Sequence, residues 1–430
     1  MNKRDISLFK SELLGESYER ITHESGLTVI VFPKKLTTTY AIMGVGCGSI
    51  DTVADIDGKR IKFPDGIAHF IEHKLFTCED GSDAFGHFSD YGADANAYTS
   101  FNRTAYLFSC TEKFEENLGE LIDFVTHPYF TEESVEAEKP IITEEIKMYD
   151  DSPTEACLYG MLEAMYERNA VKNNICGSAE SISGITPDTL YSFYHSFYKL
   201  SNMYLIVCGN VSTEQVLSVV DSYLLEEACD PVNTVKPTDI EPRKIAKEHI
   251  EKKMQVARPI FSIGFKDVNI DAVANKRYRK DAGMAILNEM IFSRATSLYS
   301  ELYEGGMISS PSLDYGYTIS KTFAYNFISG EANDPKAVLK KIRKYLDQTV
   351  LSKEDFERGK RVMYAEFVKS FDSTESIANT LLSFVGDGAE LFEYGDILSS
   401  ISFEEVQALF EELKAMPIAL CSIIPLQSNI

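Results

Sequence analysis

The sequence predicts an α+β protein of two homologous α/β-sandwich halves, each a sheet covered by helices. Three observations carry this expectation. Runs rich in β-branched residues, such as TVIVF and MYLIVCG, interleave with helix-length stretches of 3.6-residue apolar periodicity. An ungapped similarity lays TEESVEAEKPIITEEIKMYDDSPTEA, from Thr131, on SKEDFERGKRVMYAEFVKSFDSTESI, from Ser352, a shift of 221 positions. The chain has 430 residues, too many for one ordinary core when domains hold roughly 100–200.

Taken in order, residues 18–35 read as strand, Gly turn and strand, and YAIMGVGCGSIDT reads as another strand. GIAHFIEHKLF is an apolar-periodic helix that turns Ile67, Phe70, Ile71 and Phe76 to a core. NAYTSFNRTAYLFSC is a strand pair around an Asn-Arg turn, and EKFEENLGELIDFVTHPYF is a helix ended by His-Pro. Residues 131–150 form a long helix. Thr131 is its N-cap, a glutamate stands at or one residue before the capping-box position, and Pro140 should kink it. TFAYNFISG (322–330) then repeats RTAYLFSC (103–110), and at a shift of 217 positions GMAILNEMIFS repeats GIAHFIEHKLF. The polar segment 231–244 contains Pro231, Pro237 and Pro242 and reads as a linker between a first domain, 1–230, and a second, 245–430.

A formal net charge of −24 excludes a nucleic-acid or anionic-membrane surface, because both need positive potential, and suits cationic peptides as clients. No run of about 18 apolar residues is present to span a membrane. The start, MNKRDISLFK, has no apolar leader core, which predicts a cytoplasmic protein. Eight scattered cysteines without a CxxC pair predict reduced thiols. GVGCGS has glycines but no Lys, so it is not a phosphate loop, and no GxSxG elbow occurs.

The chemistry concentrates in HFIEH, residues 69–73. Residues i and i+4 share a helix face, so His69 and His73 can aim ring nitrogens at one point. That arrangement suits a tetrahedral Zn2+, with Glu72 placed to orient or deprotonate a zinc-bound water. The order inverts the HExxH motif. The competing reading is charged decoration of a solvated helix face. Against it, two of only seven histidines fall here, and the repeat puts Ile286 and Met290 where His69 and His73 stand, so the fold does not require imidazoles. The long helix also brings a carboxylate, Glu145, some seventy residues downstream.

GIAHFIEHKLF, ANAYTSFNRTAYLF and EAEKPIITEEIKMYDDSP, in this order, resemble the insulinase or pitrilysin family of zinc metallopeptidases over nearly the whole chain. The resemblance implies one Zn2+ per chain, held by His69, His73 and Glu145, with Glu72 as general base and Glu138 as an acidic residue supporting the site. It implies a zinc-dependent endopeptidase acting on peptides or small unfolded polypeptides, built as half of a clamshell. Asn96, Ala97 and Tyr98 fall on the family's edge strand, to which an extended substrate adds as a further strand; an ordinary core strand is the competing reading.

One feature of the family is missing. Active relatives carry an Arg and a Tyr seven residues apart in the second half, whereas this chain has Tyr303 at the Arg position and Ser309 or Ser310 at the Tyr position. Arg294, Tyr315 and Tyr317 do not supply the spacing. The expected partner is therefore a homologous chain bearing the pair, in a hetero-oligomer, with a homodimer as the alternative. A non-catalytic assembly subunit of the same fold is the reading from a different class.

Overall fold

The repeat seen in the sequence is drawn twice in the backbone. The computed structural model describes residues 6–426 apart from 57, 225, 226, 228, 230–233, 237–239 and 310–312. The chain packs as two compact units. Unit 1 comprises Met1–Ile146, Asn174–Pro237 and Val368–Phe392, and unit 2 comprises Lys147–Asn173, Thr238–Phe367 and Glu393–Ile430.

The strands of unit 1 are β1 (Ile6–Ser11), β2 (Glu16–Thr22), β3 (Thr28–Pro33), β4 (Thr39–Val45), β5 (Val53–Ile56), β6 (Lys59–Lys62), β7 (Asp94–Thr99), β8 (Thr104–Cys110) and β9 (Met203–Gly209). Those of unit 2 are β10 (His249–Met254), β11 (Ile260–Asp267), β12 (Asp314–Ile319), β13 (Ala324–Glu331) and β14 (Ile418–Pro425). Unit 1 holds a seven-stranded sheet in the order β1-β2-β3-β9-β4-β8-β7, and unit 2 a five-stranded sheet in the order β10-β14-β11-β13-β12. Without the β1-β2 hairpin the two orders coincide, strand for strand. The hydrogen-bond sense coincides as well: β3 with β9 and β10 with β14 are parallel, while β4 with β9 and β11 with β14 are antiparallel.

Strand β4 is buried along its whole length, as a central strand covered on both faces must be. Its Gly44 faces Leu382 so closely that a Cβ there would lie 2.4 Å from Leu382 Cδ1, and the Tyr40 hydroxyl accepts a 3.0 Å hydrogen bond from Asn379. Both partners sit on helix Thr374–Gly386. Alternation sends Ala41, Met43 and Val45 to the opposite face, and helix Phe114–Thr126 also contacts the strand.

The expected division at 231–244 does not follow the packing. Helix Pro153–Met165 lies in the first half of the sequence but packs on β11 and β14 of unit 2, whereas its copy 221 positions later, Thr374–Gly386, packs on β4 and β9 of unit 1. Each unit borrows one helix from the other half of the chain. Of the expected linker, 231–233 and 237–239 lie outside the described residues.

The long helix spans Glu132–Asp150 and runs through Pro140 without a break. Thr131 caps it, accepting a 3.1 Å hydrogen bond from the Ser134 amide, but in the reciprocal bond the Thr131 amide donates to Ser134 Oγ at 3.2 Å and not to a glutamate. A hydroxyl three residues on satisfies the same free amide that a longer carboxylate would reach. The duplicated helix Lys353–Lys369 begins 221 positions after Glu132.

Candidate metal centre

Helix Ile67–Leu75 carries the HFIEH segment and starts from Gly66 in the left-handed region, at φ 86°. Gly66 and Gly177, the latter at φ 77°, let two backbones meet. A Cβ on Gly66 would lie 2.4 Å from the Cys176 carbonyl oxygen, and one on Gly177 would lie 2.5 Å from that of Asp65. Only glycine meets both the positive φ and the contact. This contact seats the turn at 174–177 against the start of the helix and brings Cys176 Sγ to 3.7 Å from His69 Nε2.

Across from the helix, Glu145 places one oxygen 3.6 Å from His69 Nε2 and the other 3.4 Å from His73 Nε2. Four donors at about 2.0–2.1 Å from one Zn2+ in a tetrahedron would stand about 3.3 Å apart, so each Glu145–imidazole contact has a length close to what the ion would need. The donor set of two imidazoles and a carboxylate suits it too. His73 Nδ1 is 3.0 Å from Glu138 Oε1, and Glu138 Oε2 is 3.6 Å from the buried Lys74 Nζ. That carboxylate fixes which ring nitrogen of His73 points at Glu145. His69 is 7% exposed, and its Nδ1 has no hydrogen-bond partner among the described residues.

Charge ties the cluster together. Burial opposes protonation of His73, but the Glu138 and Glu145 carboxylates outweigh it and push its pKa up to about 9. The imidazoles of His69 and then His73, beside it at 3.6 and 3.4 Å, hold the Glu145 carboxyl well below the usual carboxylate range, despite burial. Burial raises the pKa of Glu138, but His73 and Lys74 more than reverse it. Glu72 differs. It is 8% exposed, burial raises its pKa against the opposing pull of His69, and its Oε2 accepts a 2.6 Å hydrogen bond from Thr99 Oγ1.

The structure therefore gathers His69, Glu72, His73, Glu138 and Glu145 in one place. Asn96, Ala97 and Tyr98 lie on β7, the edge strand of the seven-stranded sheet. Alternation turns Ala97 to the same face as Thr99, and Asn96 with Tyr98 to the other. Tyr98 hydrogen-bonds Asn379 at 3.1 Å. Three contributors escaped the sequence: Thr99, Lys74 and Cys176. Thr99 follows Tyr98 directly and shares a strand face with Ala97, a signal that strand periodicity offers. Nothing local marks Cys176.

The duplicate site has closed. Ile286 is fully buried, Met290 is 5% exposed, and Gly359, at the repeat position of Glu138, would place a Cβ 3.5 Å from Met290 Cγ. Glu289, the counterpart of Glu72, accepts a 2.6 Å hydrogen bond from Tyr315, and Tyr317 donates to Asp267 at 2.7 Å. Tyr303 is 47% exposed and stacks on Tyr299 at 5.7 Å, Arg294 is exposed, and Ser309 donates its amide to the Glu331 carbonyl. Ser310 lies outside the described residues.

Two family profiles match the chain: insulinase, peptidase family M16, over residues 57–179, and the peptidase M16 inactive domain over residues 184–363. A Bacillus subtilis (strain 168) protein named uncharacterized zinc protease YmfH is 37% identical over 417 residues, covering 95% of this chain and 97% of its own. The chain belongs to the insulinase family. A crystal structure of an M16-like peptidase from Alicyclobacillus acidocaldarius superposes at a TM-score of 0.90, with 28% identity and 99% of both chains covered. A Schizosaccharomyces pombe protein named probable mitochondrial-processing peptidase subunit beta is 26% identical over 54% of this chain and 50% of its own. The family's two-domain fold of mixed α/β units is the one described above. No helix among the described residues is long and apolar enough to cross a membrane.

Proposed function

We propose that this chain is a zinc-dependent endopeptidase acting on peptides or small unfolded polypeptides, with His69, His73 and Glu145 as ligands of one Zn2+ and Glu72 as general base. The observation that carries this reading is that Glu145 places one oxygen 3.6 Å from His69 Nε2 and the other 3.4 Å from His73 Nε2, beside a buried Glu72. When bound, Zn2+ supplies Lewis acidity and lowers the pKa of a coordinated water towards about 7.

The chain's own residues do the rest. Thr99 donates to Glu72 Oε2, which leaves Oε1 to take a proton from the attacking water and later to deliver it to the leaving amine. Burial raises the basicity of Glu72 and so favours the proton transfer. Glu138 orients His73, and Lys74 holds Glu138. Strand β7 pairs only through β8 among the described residues, which leaves its outer edge for an extended peptide that adds as a strand at Asn96, Ala97 and Tyr98. None of the eight cysteines is in a disulfide, the state that a reducing cytoplasm maintains.

With Tyr303 exposed and the hydroxyls of Tyr315 and Tyr317 bound to carboxylates, the described residues of the second half offer no Arg/Tyr pair to a developing oxyanion. We therefore assign that pair to a homologous partner chain, with a homodimer as the alternative assembly. The test is peptide cleavage by the zinc-loaded chain alone, and again with a co-expressed homologue bearing the pair. Loss of one oxyanion donor typically costs 10²–10³ in rate, so cleavage should be feeble alone, rise by about that factor with the partner and stop on chelation. Absence of cleavage in both states, at full zinc occupancy, would support the non-catalytic assembly role instead.

A further inference from the structure

A second cluster of metal-type donors lies in unit 1, apart from the five residues above. Cys78 Sγ, His87 and a Glu120 carboxylate oxygen all lie within 4.8 Å of one another. They come from three pieces of chain: the turn after the HFIEH helix, helix Ala84–Asp90 and helix Phe114–Thr126. His87 Nδ1 is 2.8 Å from Glu120 Oε1.

The scaffold that presents them is fixed at several points. Thr77 and Asp83 form a β-bridge, the Cys78 amide donates to the Ser82 carbonyl at 3.0 Å, and Gly81 turns the chain at φ 83°. Asp83 caps the helix that carries His87 by accepting from the Phe85 amide at 2.9 Å. Phe76 stacks on Phe85 at 4.0 Å and on Phe124 at 4.9 Å, which ties this turn to the helix that carries Glu120. A donor group on a rigid, multiply anchored frame is what a metal site needs in advance of its ion.

We propose that Cys78, His87 and Glu120 form a second transition-metal site, suited to Zn2+. A thiolate with an imidazole and a carboxylate selects a borderline-soft ion over Mg2+ or Ca2+, which take oxygen ligands. Three protein donors in a half-buried position leave the fourth place to solvent. Metal entry has to spread the His87–Glu120 contact by about half an ångström to reach a tetrahedral edge of about 3.3 Å, a change that side-chain rotation supplies. Occupied, the site clips the chain between the HFIEH helix and β7 to helix Phe114–Thr126.

The decisive measurement is metal stoichiometry of the full chain, stripped, reloaded with Zn2+ and desalted. Two metals per chain are expected, falling to one in Cys78→Ser, in His87→Ala and in the doubly substituted His69→Ala/His73→Ala chain. Loaded with Co2+, the protein should show a near-ultraviolet thiolate-to-cobalt charge-transfer band that survives Cys176→Ser and the His69→Ala/His73→Ala pair but vanishes in Cys78→Ser. Because the two sites are read by different variants, failure of the first site leaves this prediction intact. On the unsubstituted chain, Zn2+ should slow alkylation of Cys78, mapped by mass spectrometry, at least tenfold relative to Cys229, which keeps the test independent of variant folding. A single metal lost with His69 and His73 and retained in Cys78→Ser would overturn the proposal. So would a Cys78 alkylation rate indifferent to Zn2+.

Discussion

Glu138 and Glu145 stand seven residues apart on one helix and perform different work. Glu145 faces both imidazoles, whereas Glu138 reaches only the far nitrogen of His73 and is itself held by Lys74. Carboxylates that orient a ligating histidine typically contribute 10–100-fold to metal affinity. Glu138→Gln should therefore weaken Zn2+ binding by about that factor while leaving the fold intact, as read by competition with a chromophoric chelator. Unchanged affinity would reduce Glu138 to a charge on a helix face. The grouping of His69, Glu72 and His73 was legible because one helical turn puts them together and the repeat shows the same helix without imidazoles, whereas Glu145 was singled out as their partner by the family resemblance. Thr99, Lys74 and Cys176 were not, since each meets the cluster through a contact that only packing creates. The Ser134 cap was missed for a simpler reason: Ser and Glu both satisfy the amide, and sequence pattern does not rank them.

At the scale of elements, the start of the HFIEH helix depends on two glycines. Gly66 sits at φ 86° with the Cys176 carbonyl where a Cβ would go. Strained backbone of this kind costs about 1–3 kcal/mol per residue, and the overlap with Cys176 adds to it. Gly66→Ala should lower Tm by several degrees and weaken zinc binding together, because the same turn positions His69. A variant with wild-type Tm would show that the contact is not structural. A second element carries a pH signature. Asp281, bound by the Tyr394 hydroxyl at 3.2 Å, has its pKa pushed up to about 6 by burial from an ordinary value of 3.8. A raised carboxyl pKa means that the folded state binds more protons than the unfolded state between those values, so stability falls as pH rises from about 4 to 6. Asp281→Asn should accordingly raise Tm above pH 6 and lose that gain below about pH 4. Thermal scans across that range check the sign.

For the whole molecule, the repeat was readable but its consequence was not. Sequence similarity identifies Pro153–Met165 and Thr374–Gly386 as copies. It does not say which sheet each covers, because both sheets descend from the same pattern and present the same kind of face. The structure gives each unit the helix from the other half of the chain. Leu382 is 2% exposed against Gly44 in the centre of the unit 1 sheet. Leu382→Ala should cost about 2–5 kcal/mol. The loss should appear in unit 1, so amide exchange in β4 and β9 should accelerate although the substitution lies near the end of the chain. Exchange that accelerates only among residues 245–430 would contradict the interleaved division.

The central claim is that Glu72 moves the proton while His69, His73 and Glu145 hold the metal, and Glu72→Gln tests it most directly. Glutamine keeps the size of the side chain and can still accept from Thr99, but it has no carboxylate to serve as a base. Peptide cleavage should be measured on the variant at a zinc content matched to that of the unsubstituted chain, in the presence of whatever partner gives the latter its full rate. The account predicts unchanged metal binding and a fall in kcat of at least about 10²-fold, the lower end of what general acid–base catalysis contributes. Cleavage at the unsubstituted rate would contradict it.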